Sequence, residues 1–236
     1  MANHNTAGAI LIAGVSGSLG SDMATRFIDA GRPVIGLSRR ASSLALPAEA
    51  DYEAHDVDFV DTPALERVLA SLVERRIGLG GLVLAHGAVA FGHAKDTGVD
   101  VVARLFQVNT LASMHIISRM IPLLAPGSYL INLSAVVAET PLPNLAAYSA
   151  SKSAVSSYLQ ALRHEVRKQQ VHLLDVRLPH IENDFAKKAF SGQPPTLPQG
   201  HVPHEAVDRI FESIKLLETG EAGRPRLQLV EFKRSA

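Results

Sequence analysis

The chain has 236 residues and carries 23 Lys and Arg against 23 Asp and Glu, so its formal net charge at pH 7 is zero. This length suits one α/β domain with a full core and leaves no room for a second domain of ordinary size. Balanced charge predicts neither nucleic acid nor a charged membrane surface as a partner. A chain without cysteine has no disulfides, no thiol nucleophile and no cysteine-ligated zinc.

Signals for membrane insertion, export and metal binding are also missing from the sequence. No apolar run approaches the roughly 20 residues of a membrane helix. The N-terminal segment MANHNTAGA has no basic region followed by a long apolar run. We therefore expect a cytoplasmic protein with no membrane partner. His201 and His204 have ligand-like spacing but no third ligand near them, so we expect no metal site.

The first unit of the chain is a strand, a glycine-rich turn and a helix. Residues 9–13 form an apolar run that predicts a buried strand, and residues 19–30 have the apolar spacing of an amphipathic helix. Glycines permit close backbone approach, and a helix N-terminus attracts a pyrophosphate, so the unit predicts a dinucleotide site. A tight turn needs glycine in any case, so the prediction depends on the flanking strand and helix. The turn reads Gly14-Val15-Ser16-Gly17-Ser18-Leu19-Gly20.

Two arginines follow the second predicted strand, residues 33–37, in the sequence Ser38-Arg39-Arg40. An NAD site places an Asp or Glu roughly 20 residues after the glycine turn, where it accepts from the ribose 2′-hydroxyl. Guanidinium groups match a phosphate instead, so the pair favours NADP(H) over NAD(H). The alternative interpretation is a solvated basic loop.

The rest of the chain alternates between strands and helices. Thr62 and Pro63 predict the N-cap and first turn of a helix that reaches about Glu74, and residues 99–124 form one long helical pattern. This alternation predicts an α/β fold with a doubly wound, parallel, Rossmann-type sheet. We expect one NAD(P)-binding domain over residues 1–236. Further strand candidates lie at 51–56, 81–85, 128–133, 171–178 and 226–231.

Periodicity ends near residue 181. The segment 182–203 is rich in Pro and Gly and predicts no long helix, and a helix follows at 204–218. Because long loops in compact domains are functional or disordered, we interpret the region at about 181–203 as a substrate loop.

Tyr148 and Lys152 lie four apart in a predicted helix over 146–168, and such residues share one helical face. An ammonium beside a phenol favours the phenolate and predicts a lowered Tyr148 pKa. The two residues form a candidate acid/base pair. A surface Tyr and Lys at this spacing by chance is the alternative, and the glycine turn argues against it.

With these motifs the chain resembles the short-chain dehydrogenase/reductase family over almost its whole length. Asn109, within Phe106-Gln107-Val108-Asn109, matches the family's water-holding asparagine. The resemblance implies hydride exchange between a nicotinamide and a carbonyl or alcohol, with Asn109, Ser134, Tyr148 and Lys152 as candidate catalytic residues. It implies cofactor contacts from Gly14, Ser16, Gly17, Ser18, Leu19, Gly20, Ser38, Arg39, Arg40, Asp56, Val57, Ala85, His86, Gly87, Tyr148, Lys152, Pro179 and Ile181.

Several positions depart from the family pattern. Ser18 replaces the middle glycine of the turn, and Gly17 gives a GxxGxxG spacing. The Asn-Asn-Ala-Gly motif keeps only its glycine at Gly87, and His180 replaces the glycine of the Pro-Gly turn. These positions act mainly through backbone contacts, so we expect altered affinity with binding retained.

The catalytic serine position is the serious departure, because the family's serine falls on Ala135. Ser134 precedes it, but neighbouring strand residues point to opposite faces. Three readings stay open: a local shift turns Ser134 inward, another donor serves, or the enzyme is slow or inactive. Losing an oxyanion donor typically costs on the order of 10²–10³ in rate.

The sequence thus favours an NADP(H)-dependent oxidoreductase acting on a small carbonyl or alcohol. A nucleotide-binding sensor or scaffold with weak or no activity is the alternative, supported by Ala135. A nucleotide-sugar epimerase is disfavoured because no substantial C-terminal domain follows the last strand. The resemblance suggests a homodimer or homotetramer built on helices 99–124 and 146–168. Ala154, Val155, Tyr158 and Leu162 offer an apolar stripe for it.

Overall fold

The computed structural model describes residues 8–221 and 227–232. Within these residues, seven parallel strands form one sheet in the order β3-β2-β1-β4-β5-β6-β7. The strand order reverses between β1 and β4, and in such sheets ligands bind at the carboxyl ends of the strands beside that point. The strands are β1 Ala9–Ala13, β2 Val34–Ser38, β3 Tyr52–Asp56, β4 Leu79–Leu84, β5 Leu124–Ala135, β6 His172–Leu178 and β7 Leu227–Glu231.

In the described part of the chain, six α-helices lie on the two faces of the sheet, and a π-helical segment, Gln107–Leu111, joins the third to the fourth. On one face α1 and α6 pack together, and on the other α2, α4 and α5 cover the strands. Coverage of both faces confirms the predicted doubly wound arrangement. The helices are α1 Ser18–Asp29, α2 Thr62–Glu74, α3 Val99–Phe106, α4 Ala112–Met120, α5 Ala146–Glu165 and α6 Pro203–Glu218.

Strand alternation divides the core into two apolar layers. In β1, Ile10 and Ile12 pack on the α1 and α6 side, whereas Leu11 and Ala13 pack on the opposite side. All four side chains are fully buried. Strands buried on both faces have continuous apolar sequences, and for that reason the short apolar runs of this chain predicted them well.

The fifth strand and the helix before it differ most from prediction. The helical pattern expected over 99–124 ends at Met120 and gives way to a 3₁₀ turn, Ile121–Leu123, that contains Pro122. Proline removes a backbone donor and stops the helix. β5 then begins at Leu124, four residues before the predicted start, and extends to Ala135.

Two helix ends also need correction. The N-cap of α2 is Asp61 instead of Thr62, because the Asp61 carboxylate accepts from the Ala64 amide at 2.9 Å. An Asp side chain at this position satisfies one of the free amides of the first turn. The helix predicted over 146–168 ends at Glu165 and continues as a 3₁₀ turn. Arg226, the predicted start of the last strand, lies outside the described residues.

The apolar stripe on α5 is smaller than expected. Val155 and Leu162 belong to the core under the helix, whereas Ala154 and Tyr158 are only partly buried. The stripe therefore gives little support to a dimer interface, and the homodimer or homotetramer stays a prediction. Within the described ranges no helix is long and apolar enough to cross a bilayer.

Candidate functional site

The glycine turn folds so tightly that side chains are excluded at its two ends. Gly14 has φ +93°, and a Cβ at this position would lie 2.5 Å from the His86 amide nitrogen. A side chain at Gly20 would overlap the Gly14 carbonyl oxygen. Gly17 is the N-cap of α1, and its amide donates to the Gly14 carbonyl at 3.0 Å. No described side chain caps this helix N-terminus, and such an end suits a bound anion such as a pyrophosphate.

The predicted 2′-phosphate position lies beside this turn. The Gly14 amide donates to the Leu37 carbonyl at 2.7 Å, which ties the turn to the end of β2. Arg39 and Arg40 follow directly and are exposed, and neither forms an ion pair with any side chain in the described part of the chain. Ser38 is buried, and its hydroxyl accepts from the Arg40 amide at 3.3 Å. Two free guanidinium groups at this edge fit a phosphate.

Asp56, the expected adenine contact, has a partner within the protein. Its carboxylate accepts from the Ser42 hydroxyl at 2.5 Å and the Ser42 amide at 2.9 Å. These hydrogen bonds lower the Asp56 pKa. Val57 is buried, and its amide donates to Ser38. The adenine contacts of both residues stay predictions.

The end of β4 meets the π-helical segment at Asn109. The Asn109 side chain accepts from the Ala88 amide at 2.8 Å and donates to the Ala88 carbonyl at 2.9 Å. It also donates to the Ser151 hydroxyl at 2.9 Å, and Ser151 donates to the Tyr148 carbonyl at 2.7 Å. Asn109 therefore ties the β4 end to α5, and π-helical turns often lie at functional sites.

His86 lies behind this junction, next to Ala85. Its Nε2 lies 3.1 Å from the hydroxyl of Ser113, which donates to the Asn109 carbonyl at 2.8 Å. Because that hydroxyl uses its proton on Asn109, the Nε2–H of His86 is the donor to Ser113. Burial, helped by the charge of Lys152, lowers the His86 pKa to about 3. His86 is thus a neutral support for Asn109.

Lys152, Asn109 and Gly87 converge at one point. A methyl group at Gly87 would lie 3.4 Å from both the Asn109 Oδ1 and the Lys152 Nζ, and 3.6 Å from the Phe185 ring. Lys152 is buried, and its Nζ donates to the Leu133 carbonyl at 3.1 Å. Burial lowers the Lys152 pKa to about 8, and the Asp175 carboxylate opposes that shift.

Tyr148 lies in a separate apolar cluster, which we call the Tyr148 cluster. Its buried members are Val89, Ala90, Phe91, Leu105, Val137 and Tyr148. Burial raises the pKa of the Tyr148 phenol above its usual 10. The predicted lowering of this pKa by Lys152 is therefore wrong for the arrangement observed. The phenol remains protonated at neutral pH.

The side chains of Ser134 and Ala135 point to opposite faces of β5, as strand alternation requires. Ala135 packs against the Tyr148 cluster. Ser134 is buried on the α5 side, where its hydroxyl lies 3.5 Å from that of Ser156. This contact does not favour Ser134 as the missing donor. The catalytic role of Ser134 stays a prediction. The sequence identified no other hydrogen-bond donor for the substrate oxygen near this position.

The substrate-loop region bridges the two halves of the site. The carbonyl of His180, between Pro179 and Ile181, accepts from the His201 amide at 2.9 Å and closes the loop's base. Asn183 donates to the Ser18 hydroxyl in the glycine turn at 3.1 Å. The ring of Phe185 lies 6.4 Å from that of Tyr148.

Farther along, the loop reaches the segment after β4. The Phe190 amide donates to the Val89 carbonyl at 3.2 Å, and the Phe91 amide donates to the Ser191 carbonyl at 2.9 Å. No helix or extended strand lies between residues 182 and 200, as predicted. A loop attached at both sides of the site suits a substrate lid, which stays a prediction.

A buried pair of charges in β6 was missed by the sequence analysis. Asp175 and Arg177 lie under α5, where the Asp175 carboxylate accepts from Arg177 Nη1 at 2.5 Å. The signal was present, since Asp and Arg two apart in a mostly apolar strand must share one face. The described residues form no candidate metal site. Among residues 8–221 and 227–232, no three His, Asp or Glu side chains cluster closely enough to hold an ion.

Comparison with known proteins identifies the family of this chain. The model of the short chain dehydrogenase family matches residues 8–194. The chain therefore belongs to that family. A probable short-chain type dehydrogenase/reductase of Helicobacter pylori, VdlC, is 29% identical over 182 residues, which cover 76% of this chain and 67% of the relative. Two other curated relatives are covered over 64% and 59% of their length, so the chain spans less than two thirds of each of these two.

Solved structures share the fold at low sequence identity. A short-chain dehydrogenase/reductase from Serratia marcescens has a TM-score of 0.79 at 18% identity, covering 97% of this chain and 98% of that one. A short-chain dehydrogenase/reductase from Burkholderia multivorans with bound NADP has a TM-score of 0.76 at 16% identity, covering 94% and 95%. These likenesses show the single-domain Rossmann-type fold.

The lowered Lys152 pKa makes stability depend on pH. The unfolded chain keeps the Lys152 proton up to about pH 10.5, whereas the folded protein releases it near pH 8. The unfolded state binds more protons between these values, so folding becomes more favourable as pH rises. Relative to Lys152→Met, the wild-type free energy of unfolding should increase by roughly 2 kcal/mol from pH 7 to pH 10. Urea titrations at both pH values measure it.

The exposed residue Lys168 provides the matched control. The difference in unfolding free energy between wild type and Lys168→Met should be the same at both pH values, because that side chain is not buried. A constant difference for Lys152→Met as well would contradict the expected desolvation of Lys152.

Proposed function

We propose that this protein is an NADP(H)-dependent reductase of small, predominantly apolar carbonyl compounds. The observation that carries the proposal is the placement of Tyr148. Its buried phenol lies in the apolar Tyr148 cluster, one helical turn from Lys152. The reaction class follows from membership of the short chain dehydrogenase family.

The cofactor assignment is supported at both ends of the dinucleotide site. A Cβ at Gly14 or Gly20 would collide with the protein's own backbone, so glycine at both ends permits the tight turn that precedes the N-terminus of α1, where a pyrophosphate would bind. Arg39 and Arg40 are exposed beside that turn, where guanidinium groups suit a 2′-phosphate. The structural relative from Burkholderia multivorans contains NADP. Together these features favour NADP(H) and make NAD(H) the weaker candidate.

The expected chemistry divides between the cofactor and this chain's own residues. A bound reduced nicotinamide supplies hydride to the carbonyl carbon. Tyr148 donates a proton to the carbonyl oxygen, and its raised pKa keeps that proton available at neutral pH. Lys152 is proposed to bind the nicotinamide ribose, and Asn109 to hold the water that resupplies the proton.

The surroundings of Tyr148 favour an apolar substrate. The side chains in the Tyr148 cluster are hydrocarbon or aromatic, and Ala135, Ala186, Ala189 and Phe190 pack against it. Charged substrates would lose hydration there without gaining a partner. The nearest loop charges, Lys187 and Lys188, are exposed and lie beside Asp184.

Ala135 supports the second candidate function, a nucleotide-binding sensor or scaffold. A methyl group in place of a hydroxyl leaves Tyr148 as the one assigned donor to the substrate oxygen. Loss of such a donor typically slows catalysis by about 10²–10³. The retained Tyr148, Lys152 and Asn109 favour the enzyme, since a pure binding protein needs no proton relay. A homodimer or homotetramer and a cytoplasmic location are parts of the proposal that rest on the sequence.

Cofactor preference is tested at Arg39. Replacement Arg39→Asp removes a cation beside the proposed 2′-phosphate and adds an anion. NADPH binding should weaken more than tenfold, about 1.4 kcal/mol or more, while NADH binding weakens less. Fluorescence titration of both cofactors measures this. Arg167→Asp, at an exposed site after α5, makes the same charge change and should leave both affinities within twofold. Equal or tighter wild-type binding of NADH would exclude the assignment.

Catalysis is tested on a panel of aliphatic, aromatic and charged carbonyls with three variants. Tyr148→Phe should abolish NADPH oxidation because the proton donor is lost. Ser134→Ala should change the rate less than twofold, because its hydroxyl faces Ser156. Ala135→Ser should raise the rate, by up to about 10² if the new hydroxyl donates to the substrate oxygen.

The same panel separates the two candidate functions. Tight NADPH binding with no turnover on any carbonyl, and no further loss in Tyr148→Phe, would support the sensor or scaffold. A hundredfold loss in Ser134→Ala would instead show that its hydroxyl reaches the substrate.

A further inference from the structure

Strand register places four polar residues under one face of α5. In the β5–β6 pair, Asn132 lies opposite Asp175 and Ser134 lies opposite Arg177. Alternate residues of a strand share a face, so all four point the same way. Ser134 meets Ser156 of α5, one helical turn after Lys152.

These residues form a continuous hydrogen-bonded network, which we call the β6 charge network. Asp175 is 0% exposed and accepts from Asn132 Nδ2 at 2.9 Å and from Arg177 Nη1 at 2.5 Å. Arg177 is 3% exposed and also donates to the Ser156 hydroxyl at 2.7 Å. Its Nε donates to Glu139 at 2.9 Å, and Glu139 is half-exposed in the connection between β5 and α5.

Stability alone gives little reason for this network. Removing two charges from water costs about as much as their attraction returns, and apolar residues of similar size are often equally stable there. Leu173, Leu174 and Val176, which surround the pair in β6, are apolar and buried. A charged pair in such a strand therefore points to a requirement for charge at this place.

Lys152 is the residue of the proposed site whose protonation would respond to the β6 charge network. The charges of His86, after β4, and Asp175, on β6, interact with that of its ammonium, and Tyr148 lies one helical turn before Lys152 on α5. His86 and Tyr148 are neutral at pH 7, because burial holds the pKa of His86 low and that of Tyr148 high.

The β6 charge network meets Lys152 at two points: the Lys152 Nζ donates to the carbonyl of Leu133, which lies between Asn132 and Ser134, and Ser156 donates to the Lys152 carbonyl at 3.4 Å. Asp175 is the anion among the groups named, and its attraction opposes the effect of burial on the Lys152 pKa. Arg177 and Glu139 complete a set of two cations and two anions.

We propose that Asp175, held in place by Arg177, is a positioning residue that keeps Lys152 charged and directed at the Leu133 carbonyl during the reaction. The inference rests on the proposed function of the site. Arg177 fixes the Asp175 carboxylate by a hydrogen bond and, through Glu139, ties it to the connection that leads into α5. Two residues outside the predicted site would thereby set the pH range in which it works.

The experiment measures NADPH affinity and kcat/KM as functions of pH between 6 and 10. The wild type is compared with Asp175→Asn, Asp175→Asn/Arg177→Met and Glu139→Gln. In Asp175→Asn the alkaline decline of both quantities should move to lower pH by roughly one unit, because Lys152 loses its counter-charge. The double variant should show a smaller move in the same direction, since the opposing cation is also gone. Glu139→Gln, at the exposed end, should stay within about 0.3 units of wild type.

Each outcome decides the proposal. An alkaline midpoint in folded Asp175→Asn equal to that of wild type would overturn it, since a merely structural role changes stability without moving a pH midpoint. Should Asp175→Asn not fold, the double variant decides, and a wild-type midpoint there overturns the proposal. Expected shifts in NADPH affinity with no carbonyl reduced by wild type would leave the role of Asp175 intact and refute the reductase. Carbonyl reduction with unshifted midpoints would support the reductase and overturn the proposed role of Asp175.

Discussion

The site depends on how α5 lies across the carboxyl ends of β5 and β6. Lys152 reaches from this helix to the Leu133 carbonyl, and Ser156 meets the polar side chains that β5 and β6 present. One turn earlier, Tyr148 enters an apolar cluster that the segment after β4 and the substrate-loop region complete. The same helix thus places Lys152 against polar groups and Tyr148 among apolar side chains. Burial disfavours the charged form of both groups, so it raises the pKa of the Tyr148 phenol and lowers that of the Lys152 ammonium.

Local patterns were sufficient to predict most of the fold. The apolar runs of β1, β2 and β4 and the glycine turn after β1 each carry their own signal, because both faces of these strands are buried. Where a boundary depends on competition between neighbours, prediction failed. Asp61 caps α2 in place of Thr62, and Pro122 ends a helical pattern that apolar spacing alone would continue.

Prediction of the site was limited by contacts between distant parts of the chain. The spacing of Tyr148 and Lys152 identified a pair, but their protonation depends on burial by residues far away in sequence, and Tyr148 was given the wrong sign. The partner of Ser134 and the pairing of Asp175 with Arg177 follow from register between β5 and β6, which no local pattern contains. The glycine turn and Arg39 needed no such information, because they act through backbone shape and exposed charge.

The π-helical segment Gln107–Leu111 has a consequence for how the long α3–α4 helix is divided. Closing a hydrogen-bonded ring with one additional residue, as the Ala112 amide does with the Gln107 carbonyl, turns the following helix by about 100° relative to a regular continuation. Leu105, before the segment, faces the Tyr148 cluster, whereas Ile116, after it, faces the core under the sheet. A regular helix would keep one apolar stripe in a single direction. The extra residue rotates the apolar face of the helix, so that one continuous helical segment packs against the Tyr148 cluster before it and against the core after it. Asn109 lies at the boundary between these two contacts.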